Sequence, residues 1–130
     1  MKVIVAGGRD FKDYELLKYT LDNFQQEYGN ITEVVSGTAK GVDKLGEKYA
    51  NENNILVKRF VPDWKGLGKK AGHVRNQKMG DYANEHNGML VAFWDKQSKG
   101  TKGMIDYATK IGLKGVVVHY GVEASDDKTD

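Results

Sequence analysis

The sequence contains no cysteine, a single proline (Pro62), three histidines and no long apolar run. Without cysteine neither a disulfide nor a thiolate metal centre can form. His73, His86 and His119 show no metal-ligand spacing, so neither a metal nor a cofactor is expected. A membrane span needs roughly 18 to 20 consecutive apolar residues, and no stretch here approaches that. The chain opens Met1-Lys2-Val3-Ile4-Val5-Ala6, running straight into a strand-like segment without the charged, apolar and cleavage regions of a signal peptide. The expectation is a cytoplasmic protein with no membrane partner. At 130 residues the chain has room for one domain with a central sheet covered on both faces, and none for a second.

The formal net charge of +2 conceals an asymmetry. Gly121 to Asp130 carry Glu123, Asp126, Asp127 and Asp130 against Lys128, a net −3 that leaves +5 for the preceding 120 residues. Lys65, Lys69, Lys70, Arg75 and Lys78 lie between Lys65 and Gly80 with no acidic residue among them. Such a run points to an anionic partner, although a solvated helix face reads the same way for the lysines. The last residues are too polar to pack, so the domain is expected to span 1–120 and 121–130 to form an acidic, flexible tail.

Five short β-branched or apolar runs recur, at Val3–Ala6, Glu33–Val35, Ile55–Phe60, Met89–Trp94 and Gly115–His119. Most lack polar alternation, as strands buried on both faces of a parallel sheet do. Between them, Tyr14, Leu17, Leu21, Phe24 and Tyr28 share one helical stripe, opened by Asp10 or Asp13. Val42, Leu45 and Tyr49 repeat the rhythm, as do Ala71, Val74, Lys78 and Tyr82 more weakly, and Thr101, Met104, Ala108 and Ile111. The order βαβαβαβαβ implies right-handed crossovers and an α/β fold. The expectation is a single Rossmann-like three-layer domain with a five-stranded, mainly parallel sheet, strand order 3-2-1-4-5 being favoured over 2-1-3-4-5.

In such a sheet every βα turn emerges at the carboxyl edge. The unusual residues sit in those turns: Gly7-Gly8-Arg9-Asp10 after the first strand, Ser36-Gly37 through Gly41 and Asp43 after the second, and Asp95 through Ser98, Gly100 and Thr101 after the fourth. Glycine lets a ligand approach backbone amides, and free N–H groups at a helix start attract anions. Each turn taken alone also reads as a tight connection with a capping residue. No G-x-G-x-x-G follows the first strand and no G-x-x-x-x-G-K-[ST] occurs, which excludes a standard dinucleotide fold and a P-loop ATPase. Pro62 to Asn76 reads as one long loop with Asp63, Trp64 and Lys69, and a tryptophan amid glycines suggests a folded lid. Arg75 offers a planar fork of donors to phosphate, or else forms a surface ion pair. Asn76 can read a base edge or a sugar hydroxyl, whereas His73 has no partner that would make it a base. Trp64 and Trp94 either stack on a base or belong to the core.

Taken together, Val3 to Phe11, the Ser36-Gly37-x-Ala39-x-Gly41-x-Asp43 loop, Asp63-Trp64 with Gly68-Lys69-x-Ala71-Gly72-x-x-Arg75-Asn76, and Ala92-Phe93-Trp94-Asp95 with Ser98-x-Gly100-Thr101 resemble the YspA/YpsA-related branch of the SLOG superfamily, over about residues 2 to 118. The resemblance implies a Rossmann-like fold and a pocket for a nucleotide or nucleotide derivative built from these loops. More distant relatives are the lonely-guy phosphoribohydrolases, which release a base from a nucleoside monophosphate, and DNA-processing proteins that bind single strands. Ser98 to Thr101 looks like the phosphate-binding turn of the lonely-guy enzymes, and Arg75 resembles their arginine near the sugar. Where those enzymes carry glutamates just after the threonine, this chain has Lys102 and Gly103. Asp43 or Asp95 is left as a substitute carboxylate, and no catalytic residue is assigned. The resemblance also makes a helix-paired homodimer an expectation.

Three functions follow. The first is binding of a nucleotide-derived ligand, as a sensor or a sequestering module. The second is N-glycosidic cleavage of a nucleotide, and the third, least supported, is single-stranded nucleic-acid binding through the Lys65 to Lys78 segment.

Overall fold

Val3 and Val5 face one side of the central strand and Ile4 and Ala6 the other, and this alternation divides the core into two layers. In a computed structural model, which describes residues 1–121, that strand is β1 (Lys2–Gly7). It is followed by α1 (Tyr14–Tyr28), β2 (Glu33–Ser36), α2 (Val42–Glu52), β3 (Leu56–Arg59), a single-turn α3 (Trp64–Leu67), a 3₁₀ turn (Gly68–Lys70), α4 (Ala71–Glu85), β4 (Met89–Trp94), α5 (Lys99–Ile111) and β5 (Gly115–His119). All strands are parallel, in the order β3-β2-β1-β4-β5. The favoured strand order is the one found. The fold is a Rossmann-like α/β domain. Residues 122–130, where the acidic tail was expected, lie outside the described residues.

Leu17, Leu21 and Phe24 of α1 and Val42, Tyr49 and Ala50 of α2 pack with Val3, Val5 and Val34 on one face. Met79 and Ala83 of α4 and Met104 and Ala108 of α5 pack with Ile4, Ala6 and Leu90 on the other. The inner strands are buried on both faces, and β4 is buried from Met89 through Phe93. The edge strand β3 departs from the expected buried run, because only its α2 side, with Val57, is covered and Leu56 remains 70% exposed. The stripe of α1 begins at Asp13, whose carboxylate accepts the Leu16 N–H at 3.0 Å, and so the cap is Asp13 rather than Asp10.

The segment read as a long loop is mostly helical. Asp63 accepts the Gly66 N–H at 2.9 Å and so caps α3, and the chain then passes through the 3₁₀ turn directly into α4. Arg75 and Asn76 therefore stand on a helix, not on a loop. Gly66, Gly68 and Gly72 masked this in the sequence, since glycine has a poor helix propensity that a cap and packing against α4 offset here. Among the described residues no helix is long and apolar enough to cross a membrane.

Candidate functional site

The chain runs outward from β1 in one direction through β2 and β3 and in the other through β4 and β5, so the strand order reverses between β1 and β4. A cleft of about 230 Å³ opens there, at the carboxyl ends of the strands. The turn after β1 contributes Gly7 and Arg9, and the β2–α2 loop contributes Ala39 and Asp43. Helix α4 contributes Arg75, Asn76 and Met79, and the start of α5 contributes Ser98, Gly100, Thr101 and Met104. Four segments distant in sequence thus converge because the parallel topology delivers every βα turn to one rim.

Arg75 is half-buried. Its Nη1 donates to the Gly37 carbonyl and its Nε to Asn76 Oδ1 at 2.9 Å. No carboxylate lies within ion-pair distance of it among the described residues, so the surface ion pair weighed for it is not formed. Burial lowers the Arg75 pKa, Asp43 opposes that shift, and the nearby Arg9 adds to it. Asn76 is 7% exposed and both ends of its amide are engaged, since Nδ2 donates to the Gly100 carbonyl at 3.3 Å. It ties α4 to the start of α5 and orients the guanidinium.

Asp43, on the first turn of α2, is 5% exposed and accepts the Ala39 N–H at 3.0 Å. Burial pushes its carboxyl from 3.8 up to about 6. The Ala39 hydrogen bond and Arg75 act against that shift, and Glu47 adds to it. A buried carboxylate poised near neutrality, beside two arginines, is a group able either to bind a cationic or hydroxyl function or to exchange a proton.

Ser98 caps α5. Its Oγ accepts the Thr101 N–H at 3.4 Å and lies 3.1 Å from Thr101 Oγ1. Asp95 Oδ1 accepts the Gln97 and Ser98 N–H groups, both at 2.8 Å, and these bonds hold its pKa below the ordinary carboxylate value. Asp95 therefore shapes the turn and does not line the cleft. The amides of Lys99 and Gly100, at the positive end of the α5 dipole, have no acceptor among the described residues.

Other residues singled out in the sequence have contacts within the fold. Gly41 has φ +77°, and a Cβ there would fall 2.2 Å from the Gly8 carbonyl oxygen. Gly8 admits no side chain because Tyr120, whose hydroxyl donates to Asp10 at 2.9 Å, occupies that space. Ser36 is fully buried and donates at 2.7 Å to Glu47, which pairs with Arg59, also at 2.7 Å. Trp94 Nε1 donates to the Ser98 carbonyl at 3.0 Å and so braces the α5 turn. Asp63 is spent as a cap, and Trp64 and Lys69 are exposed outside the cleft. The sequence did not point to Glu47, or to Met79 and Met104 as an apolar floor. The helical spacing marked Met104 as core, and nothing local distinguishes an interior methionine from one that also borders a cleft.

Two arginines, a buried carboxylate and bare helix-start amides thus meet at the switch point of a Rossmann-like domain, the edge at which helix-start amides can attract anions. Residues 1–66 match the family described as YAcAr, the YspA, cpYpsA-related SLOG family, and the chain belongs to it. The matched segment carries the Gly7 turn and the Asp43 loop, while Arg75 and the α5 turn lie beyond it. The Gene 61 protein of Mycobacterium phage D29 is 28% identical over 127 residues, covering 92% of this chain and 96% of that protein. No solved structure gives a significant match.

Proposed function

We propose that the protein binds a nucleotide or nucleotide-derived small molecule in the carboxyl-edge cleft, as a ligand sensor or a sequestering module. The observation that carries this reading is Arg75, half-buried and without an acid partner among the described residues, facing the same cleft as the amides at the start of α5 that have no acceptor among them. Phosphate would meet the Lys99 and Gly100 N–H groups and the Arg75 and Arg9 guanidiniums, where charge-assisted hydrogen bonds are strong. Gly100 presents no Cβ to bar that approach, with nothing within 4 Å of the position a Cβ would take. Family membership supports the same ligand class.

The test is thermal unfolding against nucleoside mono-, di- and triphosphates. A ligand bound only to the folded state, at a hundredfold excess over its Kd, adds about 2.7 kcal/mol, and Arg75→Ala should abolish the shift. No shift from any of them at millimolar concentration would overturn the reading.

Asp43 favours a second reading, N-glycosidic cleavage, because a carboxyl raised to about 6 inside the cleft could stabilise an oxocarbenium-like state or move a proton. Free base released from a nucleoside monophosphate, and lost in Asp43→Ala, would establish it. A nucleotide that binds and stays intact through long incubation leaves the binding role alone.

A further inference from the structure

Arg75 borders a second hollow as well as the cleft. Its bond to the Gly37 carbonyl throws the side chain across the gap between α4 and the β2–α2 loop. Beyond it a groove of about 200 Å³ runs between the end of β3 and the α3–α4 corner. Phe60, Val61, Leu67 and Val74 give this groove an apolar lining, and Val61 is 73% and Leu67 40% exposed. Its charged groups are unequal. Arg59 is held by Glu47 at 2.7 Å, and Asp63 is occupied in capping α3. Lys78, one helical turn beyond Arg75, has no carboxylate within 4.0 Å among the described residues, and Arg75 Nη2 has no acceptor among them.

A trough that has apolar walls and charged groups at its rim, with a cation that has no carboxylate partner among the described residues, and that is separated by a guanidinium from a polar cleft suited to phosphate, is complementary to a molecule with two parts. We propose that the ligand of this protein is bipartite, with one phosphorylated nucleoside in the cleft and a second flat ring system in the groove. The phosphate linkage between the two passes Arg75 and Lys78. The ligand class is thus a dinucleotide joined through phosphate, not a mononucleotide. Planar rings suit the apolar walls, and the arginine fork suits a bridging phosphate. This inference rests on the nucleotide-binding reading above and extends it to the substrate class.

The experiment is calorimetric titration of the full chain with AMP, the linear dinucleotide pApA and NAD⁺. Linking a second bound group to the first should make at least one dinucleotide about tenfold or more tighter than AMP. Lys78→Ala and Leu67→Ser, both at exposed positions, should bring its affinity down to that of AMP while AMP binding is unchanged. The inference is overturned if both dinucleotides bind no more tightly than AMP, or if the two substitutions weaken AMP and dinucleotides alike. Failure of AMP and both dinucleotides to bind would remove the nucleotide reading and this inference together. AMP binding with no dinucleotide gain removes the inference alone.

Discussion

Arg75 and Asp43 face one another over Gly37 without forming an ion pair: a Cβ on Gly37 would fall 2.8 Å from Arg75 Nη1 and 2.9 Å from Asp43 Oδ2. The absent side chain leaves room for both charged groups to close in on the Gly37 backbone. Gly37→Ala should therefore displace the ends of two flexible side chains and leave the backbone where it is. The expected cost in stability is below about 1 kcal/mol, while nucleotide binding falls about tenfold or more through the lost geometry. Chemical unfolding and ligand titration of the same variant check the two halves. A variant that binds as well as the parent would show that this spacing is irrelevant to the site.

Asp43 should make stability depend on pH in an unusual direction. Its folded-state pKa, about 6, lies above the ordinary 3.8. Between those values the native state holds a proton that the unfolded chain has released, so stability falls as pH rises through that window. Asp43→Asn removes the burial of charge. The variant should match the parent near pH 4 and exceed it at pH 7.5 by up to about 3 kcal/mol, at roughly 1.4 kcal/mol for each pKa unit. Urea unfolding at the two pH values measures the difference, and a gain that is the same at both would contradict it. The stabilised variant should also bind ligand less well, the trade expected where a group is kept for function.

Two glycines of similar appearance should behave oppositely. Gly41, with φ +77° and the Gly8 carbonyl 2.2 Å from its Cβ position, is required by the backbone. Gly41→Ala should cost about 3 kcal/mol or more, through strain and collision with main chain that cannot yield. Gly100 lies in the first turn of α5 with open space where a Cβ would sit. Gly100→Ala should leave stability unchanged or raise it by up to about 1 kcal/mol, yet weaken binding of a phosphorylated ligand that must approach the α5 amides. Thermal melts with and without nucleotide distinguish the two. A neutral Gly41→Ala would refute the backbone argument.

Glu47 is 5% exposed and links Ser36 to Arg59, joining β2, α2 and β3 beneath the cleft. Glu47→Gln keeps an acceptor for Ser36 but removes the charge that holds Arg59. A loss of about 1 kcal/mol is expected, because the bond is charge-assisted but Arg59 is more than half exposed and solvent screens it. Measuring the coupling through the Glu47→Gln, Arg59→Met double cycle isolates the pair. A coupling near zero would mean that solvent already satisfies Arg59.

The five strands and four longer helices were legible because their signals are local. The apolar run of β4 and the stripe of α1 are visible within their own few residues, and the carboxyl-edge argument then follows from parallel topology alone. The one-turn α3 was not legible, because Gly66, Gly68 and Gly72 speak for a loop while a single capping carboxylate and packing on α4 decide otherwise; the weak spacing from Ala71 did mark the start of α4, although the residues through Asn76 also read as loop. The burial of β3 was overestimated for a related reason. An apolar sequence cannot announce that its strand will lie at an edge, where no neighbouring helix covers Leu56.

The candidate site divides in the same way. Arginine, aspartate and glycine in βα turns made a candidate edge readable from composition and order, and the structure gathers Gly7, Arg9, Asp43 and Gly100 there. Whether a given glycine serves a ligand or a neighbouring carbonyl was not readable, and Gly8 and Gly41 serve the chain itself. Asn76, expected to read a base edge or a sugar hydroxyl, does line the cleft, and only the structure shows that its amide is also engaged by Arg75 and Gly100.

Periodicity and turn chemistry, which act over a few residues, by themselves determined that this chain forms alternating strands and helices with polar turns along one rim. Only the tertiary structure decided that Arg75 reaches Gly37, 38 residues away in sequence, and that Asp43 loses its water beside it. That outcome depends on which strands become neighbours and on what each helix covers. Desolvation and charge proximity are properties of the packed assembly, and no segment carries them alone.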